Sequence, residues 1–193
     1  MKKQITLSMI LAAALVSAPS FSFQNEQSSD LNELDIKFGG WSTHTPSSGL
    51  ASESFNKNHL GLGVAYYPFA SKSSNHKLGG EVWYMKDIFD NPSLSVMASY
   101  KYRLDVNNLI ESIDLGFNVG IINDTERTYS TSNGKFVGYS DERVSSIAAT
   151  PQLTVNVTEA MHVDINYTKH DGCSSIGKDC DSLFFRLGYK FKI

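Results

Sequence analysis

Cys173 and Cys180 are the only two thiols of the chain, and both sit in a polar stretch from His170 to Asp181. An exported chain meets an oxidising compartment, so a disulfide closing that stretch is expected. A metal or redox role would need more ligands or a tighter pair. His59, His76, His162 and His170 form no joint motif, and His162 is assigned to an interior polar network. No nucleophile elbow, phosphate loop or metal spacing occurs, so no cofactor is implied. The remaining chemistry lies in charged and apolar residues that alternate along short segments, and those segments must position it.

Eight segments alternate with period two, at 34–44, 59–68, 77–87, 93–103, 112–123, 145–157, 161–169 and 182–193. The last places Phe185, Leu187, Tyr189, Phe191 and Ile193 on one face and Arg186, Lys190 and Lys192 on the other. A strand with an apolar face needs a cover, and no amphipathic helix of useful length is available to supply it. A bilayer is the natural cover. The predicted fold is therefore all-β: an eight-stranded antiparallel transmembrane β-barrel in the outer membrane of a Gram-negative bacterium. An even strand count puts both termini on the periplasmic side. Segments 45–58, 88–92, 124–144 and 170–181 then face outward, and 69–76, 104–111 and 158–160 are periplasmic turns. Tyr66, Tyr67, Tyr100, Tyr102, Tyr167 and Tyr189 fall near strand ends, as an interfacial girdle would.

The ends and the composition agree. Lys2 and Lys3 precede an apolar run from Ile5 to Val16, and small residues at Ser20 and Ser22 allow cleavage before Phe23. Residues 1–22 read as a secretory signal, 23–33 as a short periplasmic segment and 34–193 as the barrel. A formal net charge of −3 over 193 residues, with no basic cluster, argues against nucleic acid. Mean hydropathy is only −0.22 because inward polar residues offset outward apolar ones.

Opposite parity gives the lumen. One half holds Asp35, Lys37, Glu81, Lys101, Arg103, Asp114, Gln152, Asn156, His162, Asp164, Arg186 and Lys190, with both signs interspersed. Register is expected to set Lys101 near Asp114 and Arg186 near Asp164. The outer half holds Trp41, Gly61, Gly63, Trp83, Met85, Met97, Gly120, Ala148 and Phe184. A polar floor under an apolar well suits an acyl chain, while ordinary interior packing is the simpler alternative. Pro151 removes a ladder hydrogen bond in mid-strand, which marks a lateral opening, a bulge or a shifted strand start.

Three short motifs carry a family resemblance. Trp41-Ser42-Thr43-His44 ends the first strand, Phe55-Asn56-Lys57-Asn58-His59 leads into Gly61-Leu62-Gly63, and Tyr84-Met85-Lys86-Asp87 ends the third. Over roughly residues 38–102 this order resembles the lipid A palmitoyltransferase (PagP-like) family of outer-membrane barrels. The resemblance implies cofactor-free acyl transfer, with His44 as general base and Asp87 as its polar partner or as a substrate positioner. The family's serine position is Ile88, and Ser93 across the short loop is the nearest inward hydroxyl. His44 shares parity with outward Ile36 and Phe38, and turns inward only if the strand changes phase at a bulge near Gly39-Gly40.

The functional expectation is a monomeric barrel that transfers or hydrolyses an acyl chain of outer-leaflet phospholipid or lipid A. The alternative is a non-catalytic barrel, either a surface interaction module or a binder of a small apolar ligand. Its basis is Ile88 together with the long polar outer segment from Asp124 to Val144.

Overall fold

The computed structural model describes residues 32–44, 55–68, 70, 75–106, 110–133, 135–170 and 180–193. The expected signal and most of segment 23–33 lie outside these residues. So does the expected disulfide, because Cys173 and the Cys180 side chain are not among those described.

Each alternating segment forms a strand: β1 (Glu33–His44), β2 (Asn58–Tyr67), β3 (His76–Lys86), β4 (Pro92–Asp105), β5 (Ser112–Ser132), β6 (Lys135–Asn156), β7 (Met161–His170) and β8 (Cys180–Lys192). Successive strands pair antiparallel, and β1 closes on β8. Glu33 pairs with Lys192, so both ends of the barrel's chain lie at one end of it, beside the short turns. Leu62, Val82, Val96, Phe117 and Val119 project outward, each more than two-fifths exposed. In a closed barrel every strand pairs on both sides over at least part of its length, and an apolar outer belt needs a bilayer around it. This is the architecture of an outer-membrane protein. Tyr67 departs from the expected girdle: it is fully buried in the lumen, hydrogen-bonded to Ser99 at 3.1 Å.

β5 and β6 are far longer than expected. Their pairing continues from Asp124↔Val144 to Ser132↔Lys135, past the last β4–β5 pair at Leu94↔Asn123. The segment anticipated as an outer loop is thus a two-stranded ribbon standing on the barrel. Pairing fails elsewhere. β6 and β7 share only five residue pairs, from Asn156↔His162 to Gln152↔Asn166. Beyond them β7 stays on β8 as far as His170↔Cys180, while β6 stays on β5. A slot therefore separates β6 from β7 in the long-loop half, and Pro151 lies directly above the last pair.

The short-turn half of the lumen is filled. Among the described residues, Lys37, Lys77, Lys101, Arg186 and Lys190 face Glu33, Asp35, Glu81, Asp114 and Asp164, all of them buried. Lys37 bonds Glu81 and lies 2.8 Å from Asp164. Arg186 bonds Glu81 and reaches Asp164 at 3.1 Å, the expected pair. Lys77 holds Glu33 at 2.9 Å and Asp114 at 3.5 Å. The expected Lys101–Asp114 contact is corrected by the register. Arg103 is the residue opposite Asp114, and Lys101 lies 3.5 Å from Asp164 instead. Five positive groups against five negative ones leave the low-dielectric interior close to neutral, which is what makes so many buried charges tolerable.

Removing one member uncovers the rest. Lys37→Met should destabilise the barrel by about 3–5 kcal/mol, because Glu81 and Asp164 would keep their charges with fewer partners. Urea unfolding in detergent, followed by loss of heat-modifiable migration, measures this. A change under 1 kcal/mol would mean that the network is not the interior's main tie.

Candidate functional site

Above the charged floor the lumen opens into a chamber of about 500 Å³. The Glu81–Arg186 pair forms its base, and Asp87, Asp124 and Glu126 line its mouth. Its wall is not the expected apolar surface. Ser42, Ser95, Ser146, Ser182, Thr150 and Thr168 line it, together with Asn118 and Asn166, among Trp83, Met85, Met97, Ala148 and Phe184. Asn118 Oδ1, the Asn166 amide and Trp83 Nε1 are buried with no hydrogen-bond partner among the described residues. The well is amphiphilic, and buried amides of this kind call for a polar ligand or water.

Gly61 and Gly63 take part without lining it. A Cβ on either would collide with the Trp83 ring, so their absent side chains let the indole lie against β2. Trp83 in turn meets Phe184 edge-on, with ring centroids 6.3 Å apart, and its face lies 5.0 Å from the Arg186 guanidinium.

The first strand changes phase where the glycine pair stands. Gly39 and Gly40 have φ of 85° and 125°, a region that residues with a Cβ rarely adopt. Against β8, three residue steps from Phe38 to Trp41 span only two, from Leu187 to Phe185. The extra residue turns the following side chains over. Trp41 is consequently outward and 44% exposed, which corrects its placement in the acyl pocket. Ser42 is inward and buried. Position 44 pairs with Ser182 in the same register as Ser42, but the His44 side chain lies outside the described ones.

The histidine that meets this strand in the lumen is His59. Ser42 Oγ lies 2.7 Å from its Nε2, and its Nδ1 lies 2.7 Å from the Lys86 carbonyl oxygen. A carbonyl only accepts, so Nδ1 carries the proton and donates it. Nε2 is then the acceptor, and Ser42 donates to it. Both residues are buried in the chamber wall. The sequence pattern assigned His59 no role, although its shared parity with Gly61 and Gly63 is the signal that could have placed it in the lumen. The phase change that supplies its partner carried no such signal.

Asp87 does not act as a free carboxylate. Its Oδ1 accepts from the Phe89 and Asn91 amides, each at 2.9 Å, and its Oδ2 accepts from the Thr125 amide at 3.1 Å. It caps the outer turn after β3 and ties that turn to the base of the ribbon. By doing so it fixes the neighbouring Lys86 carbonyl that orients His59. Ile88, at the position expected for a serine, packs with Phe55 and Phe89. Ser93 is buried opposite Met85 and does not line the chamber. Pro151 is exposed on the outer face beside the slot.

No family model and no curated protein matches the chain. Solved structures similar to it include Ail, the attachment invasion locus protein of Yersinia pestis, at 16% identity and a TM-score of 0.49, covering 84% of this chain and 99% of that one. Neisserial surface protein A matches at 15% identity and 0.47, covering 87% and 100%. The N-terminal β-barrel domain of Pseudomonas aeruginosa OprF matches at 11% and 0.46, covering 82% and 97%. The resemblance to lipid A palmitoyltransferases is therefore corrected: these comparisons supply no such relative, the Asp87 carboxylate is committed to backbone amides, and Ile88 belongs to an apolar cluster. At these values the likenesses carry no argument of their own, and the eight-stranded barrel rests on the strand pairing itself.

Proposed function

We propose that this protein is an outer-membrane barrel, with its chain ends toward the periplasm, that takes a small uncharged amphiphile into its outer chamber. The observation that carries this reading is the chamber itself, about 500 Å³ above a floor closed by paired charges. That size suits one small molecule. The wall alternates hydroxyls and amides with Trp83, Met97 and Phe184, so it matches a ligand with both polar and apolar parts. The acidic residues at the mouth disfavour anions, and Arg186 below is already held by Glu81 and Asp164.

The slot between β6 and β7 provides a second way in. The five β6–β7 pairs rise roughly 10 Å above the short turn, given about 3.3 Å per residue and a strand tilt near 40°. The apolar band of such barrels is about 25 Å tall, so the slot begins near the bilayer midplane and runs upward through the outer leaflet. Ile147, Ala149 and Thr168 line the chamber beside it, and Ile147 is also 79% exposed on the outside. Pro151, which has no amide hydrogen, stands at the slot's lower end, where a continued ladder would otherwise begin.

A neutral fluorescent amphiphile should bind the purified barrel saturably and quench Trp83. Ala148→Trp fills the chamber and should weaken binding at least about tenfold, near 1.4 kcal/mol. Equal affinity in the filled variant would remove the chamber from the function. Linking Ala149→Cys to Tyr167→Cys with a short bis-maleimide closes the slot on its bilayer face. Exchange of the dye with surrounding vesicles should then slow while affinity holds, and unchanged exchange would show that ligands pass only through the mouth.

A specific feature also favours a surface interaction role. Arg127 is sandwiched between the rings of Phe89 and Tyr139, 4.2 and 3.8 Å from their centroids, and is bonded through two nitrogens to Asp141. Arg143 bonds the Pro92 carbonyl and the Asn123 side chain at the ribbon's foot. The ribbon is thus braced against the barrel as a rigid projection toward the exterior. Removing residues 127–141 should abolish any cell-surface adhesion while leaving dye binding intact, and unchanged adhesion would count against this role.

The mouth should also respond to pH. Burial, then the nearby Asp87 carboxylate, pushes Asp124 up to about 6 from its ordinary 3.8. The folded mouth favours its protonated form. The stability Asp124 contributes is therefore complete below the ordinary value and is lost as pH rises through about 6. Asp124→Asn should slow amide exchange at Thr125 and Glu126 at pH near 7.5 by up to about tenfold, of order 1 kcal/mol after allowance for partial exposure. The difference should shrink as pH falls through about 6 and vanish only below the ordinary 3.8, and a difference that persists there would assign the effect to something other than this carboxyl.

A further inference from the structure

We infer that Ser42 and His59 form a nucleophile–base pair that hydrolyses uncharged carboxylic esters within the outer chamber. The geometry has three linked parts. Ser42 Oγ stands 2.7 Å from His59 Nε2, and the opposite ring nitrogen is held 2.7 Å from the Lys86 carbonyl oxygen. That carbonyl fixes both the tautomer and the ring orientation, so the lone pair on Nε2 points at the hydroxyl. A nucleophile bonded to a base, with the base oriented by a third group, is the arrangement that activates serine.

The surroundings fit the same chemistry. Both side chains line a chamber large enough for a small ester, rather than being packed in solid protein. Two further wall residues, Asn166 and Trp83, carry buried N–H donors with no partner among the described residues. Donors of this kind are what a developing oxyanion requires. Backbone is also committed to the arrangement. Only the left-handed glycine pair turns Ser42 inward, and a Cβ on Gly40 would stand 3.2 Å from His59 Cβ and 3.1 Å from the Phe184 ring. The mouth carboxylates Asp124 and Glu126 select against anionic substrates, which points to neutral esters.

In the reaction, the Ser42 proton passes to His59 Nε2 as Oγ bonds the ester carbonyl carbon. The bond from that carbon to the alcohol oxygen breaks, and the alcohol leaves with the proton from Nε2. Water, deprotonated by His59, then attacks the acyl-serine, releases the carboxylic acid and restores the Ser42 hydroxyl. The net change is ester plus water to acid plus alcohol, with no other reactant.

This inference rests on the chamber being a ligand site, and one experiment separates the two. The full barrel in detergent is treated with a fluorophosphonate, which forms a serine–phosphorus bond with loss of fluoride, and is then digested for peptide mapping. A single adduct on Ser42 is expected, together with turnover of p-nitrophenyl butyrate. Ser42→Ala should abolish both, and His59→Gln should slow labelling by about 100-fold or more, with heat-modifiable migration confirming folded barrels. Mapping of the unmodified sequence decides the matter even if a variant fails to fold. A folded barrel that takes no label at Ser42, or takes it on another serine, overturns the inference. Saturable amphiphile binding in that same sample would leave the chamber standing without the chemistry.

Discussion

Neutrality inside a narrow bore is the constraint on which the rest of this structure depends. Eight strands leave an interior just wide enough for side chains. Here one half of it is filled with charge, and each buried cation finds carboxylates on a different strand. Lys37 of β1 meets Glu81 of β3 and Asp164 of β7, while Arg186 of β8 meets the same two. Arg186 and Asp164 are partners on adjacent strands, but the contacts of Glu81 with Lys37 and Arg186, and of Lys37 with Asp164, join strands that no sheet hydrogen bond links. They also seal the floor, which confines any ligand to the half that remains.

The outer half owes its space to residues that lack side chains. Gly61 and Gly63 let Trp83 lie flat against β2, which keeps the indole at the wall instead of across the bore. Gly39 and Gly40 admit the extra residue in β1 and so exchange an inward tryptophan for an inward serine. Each glycine pair costs the strand some rigidity. In return the chamber gains a wall aromatic and a hydroxyl facing His59. Asp87 completes the arrangement from outside by holding the turn that carries the Lys86 carbonyl.

The slot and the ribbon are consequences of one unequal pairing. β5 and β6 remain together well beyond the barrel, and β6 leaves β7 after five pairs to do so. A strand that follows its partner outward cannot also close the wall on its other side. The same departure therefore raises a braced projection over the mouth and opens the wall beneath it. The open wall beside the chamber and the projection above its mouth both depend on a single strand, β6.

The period-two pattern by itself determined the eight strands, their order, the outward belt and most of the charged floor. It could do so because every residue of a closed barrel faces either lipid or lumen, and the two demand opposite chemistry. Arg186 beside Asp164 was legible in that way, while His59 had no assigned role despite sharing the parity of Gly61 and Gly63. Only the tertiary structure decided what depends on a departure from the period. A glycine pair in a strand can bulge or stay regular with the same sequence, and the choice made here moves Trp41 out and Ser42 in. Of the residues expected to act together, Asp87 stands in a supporting turn and the His44 side chain lies outside the described ones, while the same phase change brings Ser42 to His59. Likewise, Pro151 marked a break in the ladder, but its depth and the strands it separates follow from how far β6 stays with β5. Alternation reads the direction of a side chain. It does not read where neighbouring strands stop pairing, because that is settled by contacts between segments far apart in the chain.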